Sequence, residues 1–267
     1  MTKAAGTTEI VQRETAGALA IVDFAADAGL GYEGLDSKCF AIPLLYMLQD
    51  LSAQVKRPTP QKPNPDYIEG ALPGMFFNNL TGKVYDGVTG LNGILCFVKH
   101  SYNLWVPRDE GGGFRGELDC LVGERVLKLC ARNDKNQDIV QSGEYKDLQL
   151  VDTRTHYFIM INEDGSVEQI AIPFTSTAVG ESKKWVTMSA GITKGVKPMF
   201  SQIWNVWARP KHNASGDWTV PAAKHVKEVT QAEAEAYHNA KAFYSLVVSG
   251  LTVDNNEAGA PAEEIPF

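Results

Sequence analysis

From Gly74 to about Lys227 the chain repeats one pattern, in which short runs rich in β-branched and aromatic residues are each closed by a turn signal. The runs are Gly93–Lys99, Tyr102–Val106, Leu121–Leu129, His156–Ile161, Gln169–Phe174 and Phe200–Ala208. Between them stand Asp86-Gly87, Gly111-Gly112-Gly113, Asn133-Asp134, Asp164-Gly165 and Ser215-Gly216. Such residues stop an extended chain by tolerating positive φ or by bonding to their own backbone. Strands this short and this regularly spaced favour a small barrel or sandwich over βαβ units. The expected class is mainly β.

Two segments break the pattern. Thr175–Ala190 reads better as a helix or irregular excursion before the next strand. One helix inserted in a run of strands suits an OB-fold, so the expected architecture is an OB-fold-like small barrel with added helices. Thr230-Gln-Ala-Glu233 is a capping-box pattern that opens an Ala-rich helix running to about Val248. Ala236, Ala240, Phe243 and Val247 form one stripe on it, and Gly250 is a plausible stop. Upstream, Phe40–Val55 is compact and apolar, a short helix or a strand and turn. Arg57 to Pro65 then holds four prolines in nine residues, which makes a stiff, exposed connection. The division expected is an N-terminal arm with the Pro-rich connection over 1–65, an OB-like nucleic-acid-binding body over 66–229, a C-terminal helix over 230–249 and a disordered acidic tail over 250–267.

Charge distribution matters more here than its sum. From Glu228 onward seven acids (Glu228, Glu233, Glu235, Asp254, Glu257, Glu263 and Glu264) face the single base Lys241, a net of −6. The whole chain carries −7, which leaves −1 on residues 1–227. A near-neutral body can hold a basic groove but cannot act as a strong nonspecific polycation. No apolar stretch approaches the roughly 20 residues of a transmembrane helix, and no basic lead-in precedes Ala16–Ala26, so neither a membrane span nor a signal peptide is expected. Cys39, Cys96, Cys120 and Cys130 are scattered, without a C-x-x-C pair, which argues for a reducing compartment and against structural zinc. The chain is read as cytoplasmic, in a bacterial host cell if it is phage-encoded.

A search for catalysis returns little. No G-x-x-x-x-G-K-[ST], G-x-S-x-G or H-E-x-x-H motif occurs. The Gly111–Gly116 loop lacks a following Lys-Ser/Thr, so a hairpin loop explains it better than a phosphate cradle. His100, His156, His212, His225 and His238 are isolated in sequence, and acid–base or metal chemistry would need a spatial cluster that the sequence does not reveal. The chain is therefore read as a non-enzyme with no cofactor and no metal.

Binding a single nucleic-acid strand needs other parts, aromatic faces for bases and basic groups for the backbone. Met199 to His212 is the richest stretch. Trp204 and Trp207 lie three apart on a strand and point to opposite faces, so one is expected in the core and one outside. Trp207 with Arg209 and Lys211 is taken as the outer set and Trp204 as core; both rings in the core is the alternative. Lys183, Lys184 and Trp185 form a second aromatic–basic group, and a solvated helix face explains the lysines equally well. Tyr157, Lys99 and Tyr102 complete the candidate nucleic-acid contacts.

The chain ends Glu263-Glu264-Ile265-Pro266-Phe267. A terminal aromatic ring fits an apolar pocket, its carboxylate can meet a basic side chain, and Pro266 reduces the freedom lost on docking. This ending resembles the tip of bacterial and phage single-stranded DNA-binding proteins, which close an acidic tail with Ile-Pro-Phe. Gly70–Gly82, after Ile42–Ser52, looks like phage proteins found among replication genes. The resemblance implies an OB-fold body, sequence-independent binding of single-stranded DNA (RNA is left open) and recruitment of replication or recombination proteins through Glu263, Glu264, Ile265, Pro266 and Phe267. It leaves homo-oligomerisation open. The rival expectation is an adaptor whose tip imitates the host tail and captures host factors without DNA binding by the body.

Overall fold

The computed structural model describes residues 30–31, 41–214 and 216–250. Most of the expected N-terminal arm lies outside the described residues. So does the expected tail from residue 251 on, with Glu263, Glu264, Ile265, Pro266 and Phe267.

Two antiparallel sheets carry the fold. Strands β1 (Leu45–Met47), β2 (Phe76–Asn78) and β3 (Val84–Tyr85) make the smaller one, in that order. The larger holds β4 (Leu91–Trp105), β5 (Phe114–Asp119), β6 (Cys130–Arg132), β7 (Asp138–Val140), β8 (Gln149–Ile161), β9 (Val167–Thr175), β10 (Gln202–Asn213) and β11 (Gly216–Glu228). Its spine runs β11-β10-β4-β8-β7-β6, with β5 added on β4 and β9 on β8. Helices α1 (Cys120–Leu127), α2 (Val179–Thr193) and α3 (Ala234–Val248) complete the described elements. The mainly β class is as expected. None of these helices is long and apolar enough to cross a membrane.

Alternation along the central strands sorts the core into two faces. Ile94, Cys96, Tyr157, Ile159 and Ile203 meet Ala236, Ala240, Phe243 and Val247 of α3. Leu95, Phe158, Met160, Trp204 and Val206 meet Trp185 of α2 together with Leu45, Met47 and Phe76 of the small sheet. A third cluster, Tyr102, Leu104, Val126, Val140 and Leu150, closes the β5–α1 end. Gly93 sits where strands and ring crowd together, since a Cβ there would collide with the Ile159 carbonyl and the Phe158 ring. The α3 stripe and the Thr230–Glu233 capping box are both as the sequence indicates.

The barrel is corrected. The large sheet does not close on itself, and the small sheet lies across its open sides instead. A parallel bridge Leu44↔Ala171 joins the small sheet's approach to β9. On the other side, the Gln49 side chain donates to the Thr219 carbonyl at 2.9 Å and accepts from its amide at 3.1 Å. Side-chain bonds and one bridge do what a continuous ladder does in a closed barrel.

Four further differences have local causes. Ile42, Leu44, Leu45, Met47 and Leu48 are buried, so residues 41–48 belong to the body and not to an arm. The runs expected over Gly93–Lys99 and Tyr102–Val106 are one strand, β4, because β8 pairs along nearly its whole length. Strand β11, absent from the expected runs, pairs with β10 from Gln202↔Glu228 to Asn213↔Gly216. The strand expected over Leu121–Leu129 is mostly helix α1. Its N-cap Asp119 accepts from the amides of Leu121 and Val122 at 2.9 and 3.0 Å, and Gly123 lets the helix lie on the Tyr102 ring.

Candidate functional site

Strand β10 changes character along its length. Through Val206 it is flanked by β4 and β11, and Ile203, Trp204 and Val206 are all in the core. Beyond Val206 the Ala208 amide still donates to the Gly87 carbonyl at 2.8 Å, but β11 is the strand that continues beside it, a two-stranded ribbon that needs outside support. A Glu from α2 supplies part of that support. Glu181 is only 5% exposed, and its carboxylate receives Lys211 Nζ at 2.7 Å, Lys184 Nζ at 3.0 Å and Arg209 Nη1 at 3.3 Å. Burial alone would raise its pKa; the bonds from Lys211 and Lys184 and the Arg209 charge outweigh this and hold it below the usual carboxylate range. The carboxylate is therefore ionised at neutral pH. Three cations around one anion leave a local surplus of positive charge.

Register places Trp218 directly opposite Lys211, and Trp207 opposite Ala222. The Trp218 indole N–H donates to Thr177 Oγ1 at 3.1 Å, which fixes the ring plane while leaving the ring half-buried. Around it opens a cavity of about 510 Å³ lined by Pro73, Pro210, Lys211, His212 and Trp218, with Asp50 and Asp217 among the acids at its edge. Trp207 is half-buried, Arg209 is exposed, and Lys211 is half-buried. Alternation and register place Trp207, Arg209, Lys211 and Trp218 on one face of the ribbon.

The other sequence candidates divide. Lys184 joins the strip through Glu181, and Lys183 is exposed on the same helix. Trp204, the ring expected in the core, is fully buried. Trp185, Tyr157 and Tyr102 are corrected from stacking platforms to core residues. Trp185 is fully buried and stacks on His156 at 4.9 Å between ring centroids. Tyr157 packs edge-on against Phe243, and Tyr102 lies beneath α1. An aromatic ring walled in on both sides has no face left for a base. Lys99 is ion-paired with Glu117 on β5, part of a different surface of β4. Sequence reasoning missed Glu181 and Trp218. The pattern Trp218-Thr-Val-Pro-Ala-Ala was a strand signal opposite Met199–His212, and recognising the hairpin would have found the ring.

His156 occupies the centre of the α2 face, with Phe174 at 4.3 Å and Trp185 stacked on it. Burial pushes its pKa down to about 3, and its Nε2 lies 3.4 Å from Ser182 Oγ. It is a neutral core histidine.

The model of a phage protein family, Pam3 phage gp34-like protein, covers residues 12–252. No curated protein and no solved structure matches the chain.

Proposed function

Since this chain belongs to the Pam3 phage gp34-like family, we propose that it is a phage single-stranded DNA-binding protein that engages the strand along the β10–β11 ribbon. The observation that carries this reading is the row Trp207, Arg209, Lys211 and Trp218 on the ribbon, of which Lys211 and Trp218 line an open cavity. Bases stack on half-exposed indoles, and phosphates approach Arg209, Lys211 and Lys184. Each of these cations already has a partner in Glu181, so a phosphate competes for it. That favours moderate, strongly salt-dependent affinity. The segment Glu263 to Phe267 recruits replication or recombination proteins, with Phe267 as the anchoring ring and the acids steering the approach.

A titration with oligo(dT), followed by tryptophan fluorescence at several salt concentrations, tests the reading. Quenching with an affinity that falls as salt rises supports it; no quenching at low salt removes it. Deleting the last four residues should abolish partner capture and leave strand affinity equal or slightly higher.

One observation favours a second reading. Glu181 occupies the cations, and Asp50 and Asp217 flank the cavity, so the ribbon could instead serve protein contacts. The chain is then an adaptor that captures host factors through its tip and binds no DNA. Partner capture without any oligonucleotide signal would select it.

A further inference from the structure

One histidine and one cysteine that are isolated in sequence, His100 and Cys120, meet at the start of α1. Cys120 Sγ lies 3.2 Å from His100 Nδ1, and His100 Nε2 lies 3.0 Å from Asp152 Oδ1. A carboxylate only accepts, so Asp152 assigns the ring proton to Nε2. Nδ1 then directs its lone pair at the thiol. Arg154 lies 3.7 Å from the other Asp152 oxygen, and the Tyr102 ring lies against the imidazole at 5.4 Å. We propose that Cys120, His100 and Asp152 form a nucleophilic thiol site that accepts an acyl group from a small activated ester or thioester.

Glu124 Oε1 lies 3.6 Å from the sulfur. Burial first, and this carboxylate second, push the Cys120 thiol above its ordinary range, so the resting group is S–H and reactivity depends on His100 as base. In the step, the Sγ proton passes to His100 Nδ1 as the S–acyl bond forms. The C–O bond of the ester, or the C–S bond of the thioester, breaks, and the departing oxygen or sulfur takes the proton back from His100. The amides of Leu121 and Val122 are held by Asp119 and stabilise no oxyanion in either step, so only a donor with a good leaving group acylates the thiol, and water attacks the unactivated thioester slowly. The site therefore stops at the acyl-enzyme stage and accumulates a thioester.

p-Nitrophenyl acetate is the probe. The intact chain should release one equivalent of p-nitrophenol and carry one acetyl group, mapped by peptide mass spectrometry to Cys120. Cys120→Ser should lose the burst. His100→Gln should slow it about 100-fold near neutral pH, the usual worth of a general base. Asp152→Asn should slow it comparably, because an amide can donate to Nε2 and turn the proton toward the sulfur. Thermal melts check that the variants are folded. An acetyl group on another cysteine, no acetylation, or equal rates in folded His100→Gln would overturn the proposal. If the variants do not fold, the mapped position in the unmodified sequence decides alone.

Discussion

Residues 202–206 and 209–213 belong to one strand, yet they behave as two materials. The first stretch is covered on one face by α3 residues and on the other by Trp185 of α2, and Trp204 has no exposed surface. The second has β11 alone beside it and is held by Glu181, with Gln49 and Thr177 gripping the partner strand. The comparison teaches that a tryptophan's role follows from what the neighbouring strand does. Where β4 stops pairing, a ring changes from packing material to usable surface. Polar side chains at that point anchor the ribbon by directed bonds, and these same groups are able to meet a charged ligand.

Truncation gives the largest expected contrast. Trp204→Ala or Trp185→Ala should destabilise the fold by about 3–5 kcal/mol, because each leaves a cavity that the strands cannot collapse to fill. Part of that loss is offset, since neither indole N–H has a hydrogen-bond partner among the described residues. Trp207→Ala should cost far less in a denaturant titration. Equal losses at Trp204 and Trp207 would erase the distinction.

Acid should attack the buried face first, through His156. His156 has a folded pKa of about 3 against about 6.5 when unfolded. The unfolded state therefore binds the proton first. The stability this residue contributes is complete above pH 6.5 and drains away as pH falls from there toward 3, amounting to several kcal/mol on the order of magnitude. Replacing His156 with Phe should flatten stability across that window in urea melts. Glu233, lowered to about 2 chiefly by Lys227 and also by Thr230, adds a separate loss only below its unfolded pKa.

Smaller effects belong to the ribbon. Trp218→Ala and Trp207→Ala should each weaken oligo(dT) binding by about 1–3 kcal/mol. Arg209→Gln or Lys211→Gln should reduce the slope of log affinity against log salt by at most about one unit, with little change in melting. A change in melting without a change in slope would assign these cations to anchoring alone.

Much of the fold was legible because local signals and burial agree. The α3 stripe and its capping box, the turn sites and the split between Trp204 and Trp207 follow from periodicity. What escaped depends on partners distant in sequence. Leu121–Leu129 is apolar enough for a strand, and only the Asp119 cap and the Tyr102 platform make most of it a helix. Trp185, after two lysines, and Tyr157, on a strand-like run, look like stacking residues, but His156 and Phe243 enclose them. The open sheet was illegible because closure by the small sheet rests on Gln49 bonding to Thr219, a contact 170 residues apart.

Photo-crosslinking tests the central claim most directly. An oligo(dT) strand containing 5-bromouracil, irradiated on the full chain at low salt, should leave its adducts on Trp207 and Trp218, and the yield should fall as salt rises. Adducts confined to other surfaces, or none under conditions that saturate binding, would contradict the assignment of the β10–β11 ribbon as the strand-binding site.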